Sequence, residues 1–130
     1  TKQKFGFFQS EKEDYKKIAT ELQIPQISDE AFSFQRYPLV YLVEAADDIC
    51  YQIMDLEDAC KLGILSYEQV RELFLNFYDS DEDRIVLKSI GETLARLSDK
   101  NEQISYLRAG VIGQLIHKST QIFEENYQNI

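Results

Sequence analysis

Apolar residues recur every three or four positions along most of this chain, which is the spacing of amphipathic α-helices. Together with helix start and stop signals, this spacing predicts five helices, near residues 10–22, 38–62, 66–78, 82–97 and 101–127. No stretch alternates apolar and polar residues as a half-buried strand would. The predicted fold class is therefore all-α, in a single helical segment over residues 1–130.

The limits of these helices come from capping residues. The sequence SEKE at residues 10–13 and the sequence SYEQ at residues 66–69 have the form of capping boxes, which open helices. Pro38 stands where a helix favours proline, and Gly63 stands where a helix commonly ends. Residues 24–37 mix Pro, Ser, Asp and single aromatics, and they are predicted to form a loop.

The helix predicted over residues 38–62 carries two stripes of side chains. The first stripe is apolar and consists of Leu42, Ala46, Ile49, Ile53 and Leu56, widened by Val43, Cys50 and Met54. This width predicts a helix that is mostly buried. The second stripe is polar and consists of Glu44, Asp47, Asp48, Tyr51, Asp55 and Asp58. Acidic residues on a buried helix are costly unless they are paired, hydrogen-bonded or bound to metal.

Three members of the polar stripe, Asp47, Tyr51 and Asp55, follow one another at intervals of one turn, or about 6 Å. A carboxylate, a phenol and a second carboxylate in this order could follow a nucleotide from its phosphate to its sugar. The first would hold a metal ion at the phosphate, and the others would meet the ribose. From the pattern alone, a solvated acidic face or salt bridges to neighbouring Lys and Arg side chains are the commoner explanation.

Composition narrows the expected partners. Hydrophobic residues make up 44% of the chain and charged residues 28%, as in ordinary globular proteins. The formal net charge of -9 repels nucleic acids and anionic membranes, so neither is expected as a partner.

Cys50 and Cys60, if on one helix, are about 15 Å apart and too far for a disulfide. Reduced cysteines favour a cytoplasmic location.

The residues of the central helix resemble a known family. The run RYPLVYLVEAADDICYQIMDLEDA at residues 36–59 is similar to the dGTPase family, which comprises deoxyguanosinetriphosphate triphosphohydrolases and related dNTPases with an HD domain. The run KFGFFQSE at residues 4–11 is similar to the segment that precedes this helix in the family. The chain therefore resembles the back part of an HD-domain helical core. The resemblance covers residues 4–63, and the remainder matches only in being helical.

The resemblance implies a reaction and roles for particular residues. The family cleaves a dNTP to a deoxynucleoside and inorganic triphosphate, with a divalent metal, Mg²⁺ or Mn²⁺, at the phosphate. Asp47 matches a metal ligand, Tyr51 a residue that packs against the deoxyribose, and Asp55 a residue near the 3′-hydroxyl. Asp48 and Arg108 are secondary candidates, Arg108 because a guanidinium group suits phosphate oxygens, with a surface ion pair as its alternative. The resemblance also implies dGTP as substrate and a homo-oligomer.

One departure from the family limits this interpretation. The family holds its metal through a His, an adjacent His-Asp pair and a distant Asp, whereas this sequence has one histidine, His117, and no His-Asp dipeptide. A lone carboxylate does not hold a catalytic metal. The chain is therefore expected to be a fragment of the enzyme that binds no metal and is inactive by itself. The alternative is a non-catalytic helical module that binds other proteins.

Overall fold

A computed structural model of the chain describes residues 6–29 and 32–127. Within them a 3₁₀ turn at Gln9–Glu11 is followed by α1 (Lys12–Glu21), β1 (Gln26–Ser28), β2 (Ser33–Phe34), α2 (Leu39–Lys61), α3 (Tyr67–Leu75), α4 (Arg84–Leu94) and α5 (Lys100–Asn126). The prediction of a largely all-α fold with five helices is confirmed. The chain divides into two compact units, Thr1–Val40 and Tyr41–Ile130. That residues 1–130 form a single helical segment stays a prediction.

The first unit contains a short hairpin where a loop was predicted. β1 and β2 pair in antiparallel fashion, with Gln26 opposite Phe34 and an irregularity in the register after Gln26. The prediction of a loop over residues 24–37 is wrong at these positions. The strands are three and two residues long, which is too short to produce the alternating pattern by which a strand is recognised in a sequence.

Aromatic rings form a small core in the described part of the first unit. Phe7 stacks on Tyr15 with ring centroids 4.4 Å apart, and Tyr15 meets Phe34 edge-on at 5.4 Å. Phe32 closes the group, at 5.2 Å from Phe34 and 5.8 Å from Phe7. Offset and edge-on arrangements of this kind are the favoured geometries of aromatic pairs. The hairpin and the start of α1 are thus held to each other by four rings.

The start of the first helix differs from the prediction. The helical turn follows Phe8 rather than Ser10, and the backbone N–H of Phe8 donates to the Glu11 carboxylate at 2.8 Å. Glu11, and not Glu13, therefore makes the return contact of the predicted capping box. The opening 3₁₀ turn shifts the cap by two residues, so the assignment of the box to residues 10–13 is wrong.

The predicted end of α2 and the predicted start of α3 are confirmed, whereas α3 ends at Leu75 rather than near residue 78. Gly63 follows the end of α2 with a φ of 69°, in the left-handed region where glycine is favoured, and its N–H donates to the Cys60 carbonyl at 3.1 Å. The Ser66 hydroxyl accepts a hydrogen bond from the backbone N–H of Gln69 at 3.2 Å. The Gln69 side chain in turn accepts one from the N–H of Ser66 at 2.8 Å. This reciprocal pair is the capping box predicted at residues 66–69.

The acidic connector between α3 and α4 is ordered by its own carboxylates. Asp79 accepts hydrogen bonds from the backbone N–H groups of Glu82 and Asp81, at 3.0 and 2.8 Å, and these bonds lower the pKa of Asp79. Asp83 accepts a hydrogen bond from the N–H of Asp79 at 2.8 Å and one from the Gln114 side chain at 3.1 Å. The last contact ties the start of α4 to α5.

The core of the second unit is built mainly by α3, α4 and α5. Its buried residues are Ile53, Val70, Phe74, Tyr78, Ile90, Leu94, Ile104, Leu107 and Val111. α2 contributes one residue to this set, Ile53, and the only other buried residue of α2 is Glu57. The prediction that α2 is mostly buried is therefore wrong in this chain. Ile49 and Leu56 of its apolar stripe pack against the core but stay partly exposed, and the stripe is exposed at Val43, Ala46, Cys50 and Met54.

Candidate functional site

α2 turns one side to the core and the opposite side to solvent. Ile53 is 1% exposed and Glu57 is 5% exposed, and they lie one turn apart on the core side. Because each residue advances the helix by about 100°, positions 47, 51 and 55 fall on the other half of the circumference. The polar stripe predicted from the sequence therefore lies on the solvent side of α2, where five of its six members are exposed and Glu44 is partly exposed.

The predicted site residues Asp47, Tyr51 and Asp55 lie in line on the exposed half of α2, and we call them the site face. Tyr51 is 66% exposed, and both aspartates are exposed as well. Successive members are four residues apart, so the line follows the helix axis with a drift of about 40° per step. Asp48 is exposed on the same half of the helix. All four side chains are accessible to a ligand that approaches α2 from solvent.

The described residues do not form a metal site by themselves. Among residues 6–29 and 32–127, no three His, Cys, Asp or Glu side chains are grouped closely enough to hold an ion. Asp47 is thus a single oxygen donor on an open face, whereas divalent cations bind several donors at once. A metal at Asp47 would need further ligands that this part of the chain does not supply.

Glu57 is a residue that the sequence analysis did not single out, and it is the buried carboxylate of α2. Its Oε2 lies 2.8 Å from Nη1 of Arg108, and its Oε1 lies 3.0 Å from Nζ of Lys61. The hydroxyl of Ser105 also donates to Oε1 at 3.0 Å. Lys61 belongs to α2 itself, whereas Ser105 and Arg108 belong to α5. The carboxylate therefore joins the two helices.

The surroundings of Glu57 favour its charged form. Burial raises its pKa, but the hydrogen bonds from Lys61 and Ser105 and the positive charges of Arg108 and Lys61 together lower it, so that the pKa lies below the ordinary value of 4.5. The carboxylate is therefore ionised at neutral pH. A buried charge is tolerated when it is paired and its remaining lone pairs are hydrogen-bonded, and both conditions hold here.

Arg108, a secondary candidate for a phosphate contact, is engaged by this carboxylate. Its side chain is 34% exposed, and its Nε is buried with no hydrogen-bond partner among the described residues. The ion pair that was the alternative interpretation of Arg108 is therefore present. It differs from the expected surface pair because its acidic partner, Glu57, is buried.

An apolar cavity lies elsewhere in the second unit, between the beginning of α2 and the end of α5. Its volume is about 470 Å³, and it is lined by Tyr41, Leu42, Ala45, Ser119, Ile122, Phe123 and Asn126. None of the residues of the site face lines this cavity. The cavity and the site face are therefore different surfaces of α2.

No helix in the described part of the chain combines the length and the apolar character needed to cross a membrane. No family model matches the chain. Over nearly its whole length, however, the chain is similar to proteins that are named as triphosphohydrolases of a deoxynucleoside triphosphate. The similarity predicted from residues 4–63 is thereby confirmed and extended to almost all of the chain.

Three of these relatives illustrate the extent of the similarity. A deoxyguanosinetriphosphate triphosphohydrolase-like protein of Pseudomonas aeruginosa (strain LESB58) is 35% identical over 127 residues, which are 98% of this chain and 27% of the relative. A protein of the same name from Synechocystis sp. is 34% identical over 128 residues, with the same two coverages of 98% and 27%. A deoxyguanosinetriphosphate triphosphohydrolase of Yersinia enterocolitica is 33% identical over 129 residues, covering 93% of this chain and 24% of the relative. The chain thus spans about a quarter of the length of the curated relatives it matches.

Proposed function

We propose that this chain is a segment of a longer dNTP triphosphohydrolase of the HD type, with dGTP as its expected substrate. Such an enzyme converts a dNTP and water to a deoxynucleoside and inorganic triphosphate. One observation carries the proposal: Asp47, Tyr51 and Asp55 lie in line and accessible on α2, in a chain whose relatives are named for this activity. Because the chain spans about a quarter of those relatives, most of the active site would come from residues outside it.

The site face would bind a dNTP lengthwise along α2. Asp47 would offer one carboxylate oxygen to a divalent cation, Mg²⁺ or Mn²⁺, whose other protein ligands lie outside this chain. Tyr51 would pack its ring against the deoxyribose, and Asp55 would accept a hydrogen bond from the 3′-hydroxyl. The spacing of about 6 Å between successive members of the site face supports this arrangement, since it allows the three side chains to meet successive parts of one nucleotide. Asp48, on the same half of the helix, would have a secondary role.

The 130-residue chain alone is proposed to be inactive and to bind no metal. The support is chemical, because a single exposed carboxylate lacks the additional donors that a divalent cation requires. Cys50 and Cys60 are free thiols, which suits the cytoplasm as the proposed location. The test is an assay of triphosphate release by the purified chain with Mg²⁺ and with Mn²⁺. Turnover that Asp47→Ala abolishes would contradict the proposal.

The roles of the site face are tested in the longer protein that contains this chain. Asp47→Ala should abolish metal-dependent release of triphosphate from dNTPs. Tyr51→Ala and Asp55→Ala should lower kcat/KM, for Asp55 by about 10–150-fold, the range that corresponds to a charge-assisted hydrogen bond. Both should leave metal affinity nearly unchanged. Glu72→Ala, which removes an exposed carboxylate from α3, is the matched control.

Two results would contradict these assignments. An unchanged kcat/KM in both Tyr51→Ala and Asp55→Ala would mean that the stripe is a solvated acidic face. A loss of metal binding in either variant equal to that of Asp47→Ala would mean that the nucleotide has been placed wrongly along α2. Titration of Mn²⁺ beside the kinetic assay separates the two outcomes.

The alternative function, a non-catalytic helical module that binds other proteins, is favoured by the exposure of large apolar side chains. Leu62, Ile64 and Ile85 are 75%, 71% and 85% exposed, and exposed apolar surface is a feature of interaction sites. The two functions are distinguished by dNTP binding to the longer protein. Equilibrium dialysis that detects no binding of any dNTP in the presence of Mn²⁺ would favour the interaction module.

A further inference from the structure

We infer that Glu57 and Arg108 are positioning residues, whose ion pair sets the rotation of α2 about its own axis. Through this rotation the pair determines the direction in which the site face is presented. The enzymatic consequence rests on the proposed function, whereas the structural part can be tested without it. Neither residue lies on the site face, so each would act through α2 rather than by touching a substrate.

Apolar packing alone defines the rotation of α2 poorly. Ile53 is its one buried apolar residue, and Ile49, Leu56 and Cys60 pack against the core while remaining partly exposed. Apolar burial is non-directional, so a helix held by such contacts can turn with little loss of buried area. A charged hydrogen bond instead requires a defined distance and angle. The Glu57–Arg108 contact, at 2.8 Å, supplies that directional restraint.

The restraint comes from α5 and not from α2 itself. Ser105 and Arg108 are one turn apart on α5, and they contact different oxygens of the Glu57 carboxylate, at 3.0 and 2.8 Å. Two contacts from a neighbouring helix fix both the position and the orientation of the carboxylate. Lys61 also pairs with Glu57, at 3.0 Å, but it moves with Glu57 because both belong to α2. Lys61 therefore cannot restrain the rotation, which makes it a matched control.

A small rotation would be sufficient to disturb the site face. The tips of helical side chains lie roughly 5–6 Å from the helix axis, so a turn of about 20° displaces them by roughly 2 Å. Misplacement of a binding group by about 1 Å can reduce a reaction rate on the order of a hundredfold. Because Asp47, Tyr51 and Asp55 share one helix, a rotation would displace all three together.

The two cysteines of α2 report its rotation independently of any activity. Cys60 packs against the core, whereas Cys50 is exposed and serves as an internal reference. Reaction of each thiol with DTNB is followed in Cys50→Ser and Cys60→Ser backgrounds of this chain, at a temperature where circular dichroism shows the folded state. Arg108→Met should raise the rate at Cys60 about tenfold relative to Cys50. Lys61→Met should change this ratio less than about twofold.

Either of two results would overturn the structural part. In one, Arg108→Met leaves the ratio of the Cys60 and Cys50 rates unchanged. In the other, Lys61→Met raises the ratio as much as Arg108→Met does, which would mean that loss of charge near Glu57, and not loss of the link to α5, exposes Cys60. Neither result depends on whether the longer protein hydrolyses dNTPs.

Kinetics of the longer protein separate positioning from simple stabilisation. Arg108→Met should lower kcat/KM about 10- to 100-fold, and Arg108→Lys, which keeps the charge, should recover part of the loss. Replacement of a buried ion pair by two apolar side chains is often neutral for stability. The double variant Glu57→Met with Arg108→Met should therefore regain resistance to urea but keep a low kcat/KM. Recovery of kcat/KM together with stability would overturn the inference.

Discussion

The packing of α5 against Tyr78 requires a residue without a side chain at position 110. A Cβ added at Gly110 would lie 2.7 Å from the Tyr78 hydroxyl oxygen, which is closer than real Cβ contacts come. A Cβ added at Gly113, on the same helix, would meet nothing within 4 Å. Tyr78 is 9% exposed and belongs to the core, so its ring has little freedom to move aside. Substitution of these two glycines by alanine should therefore affect stability differently, with a gain expected at Gly113 but not at Gly110.

Two contributions set the magnitude of the effects. Alanine in place of glycine in a helix interior stabilises the folded state by about 0.5–1 kcal/mol. Overpacking of a filled core costs about 1–3 kcal/mol. Gly113→Ala should thus raise the free energy of unfolding by about 0.5–1 kcal/mol. Gly110→Ala should change it by between roughly zero and a loss of about 2.5 kcal/mol.

The assay is urea unfolding of the 130-residue chain, followed by circular dichroism, for both variants in the wild-type and Tyr78→Phe backgrounds. Without the Tyr78 hydroxyl the close contact disappears, so Gly110→Ala should then stabilise nearly as much as Gly113→Ala. The reasoning is refuted if Gly110→Ala stabilises the wild-type chain as much as Gly113→Ala does. It is also refuted if Tyr78→Phe leaves the effect of Gly110→Ala unchanged.

Asp47, Glu57 and the exposed apolar surface of α2 can each be tested directly. In the longer protein, Asp47→Ala should abolish turnover and Asp48→Ala should be milder; the reverse order would show that the wrong aspartate has been assigned to the metal. Because the pKa of Glu57 is lowered, its ion pairs contribute stability that is present above about pH 4.5 and lost as the pH falls further. The urea concentration at the midpoint of unfolding should therefore fall less between neutral and acidic pH in Glu57→Gln than in the wild type. An equal fall in the two proteins would count against this. Since Val43 and Met54 are 68% and 49% exposed, light scattering should detect self-association at high concentration, and a strict monomer would contradict this expectation.

The helix limits that depend on neighbouring residues in the sequence were predictable. Gly63 ends α2, and the reciprocal contacts of Ser66 and Gln69 open α3, because each signal involves groups only a few residues apart. The hairpin of β1 and β2 was not predictable in this way, since its strands are too short to carry a pattern. The cap of the first turn was misplaced because Glu11 and Glu13 are both available to contact a preceding N–H, and the 3₁₀ geometry selects Glu11.

The acidic residues of α2 show where reasoning from the sequence reaches its limit. The alignment of Asp47, Tyr51 and Asp55 could be predicted, because helical periodicity determines which residues share a face. The burial of Glu57 could also have been predicted, since Glu57 follows the apolar residue Ile53 by one turn on the same face of the helix. An acidic residue on a buried face must be paired. Its partner Arg108 could not be identified, because the contact depends on how α2 and α5 pack. Asp55 and Glu57 are two residues apart, yet one faces solvent and the other the core. The chemistry of an acidic stripe therefore becomes assignable only when the rotation of its helix is known, and the pair Glu57–Arg108 is the contact by which we infer that this rotation is set.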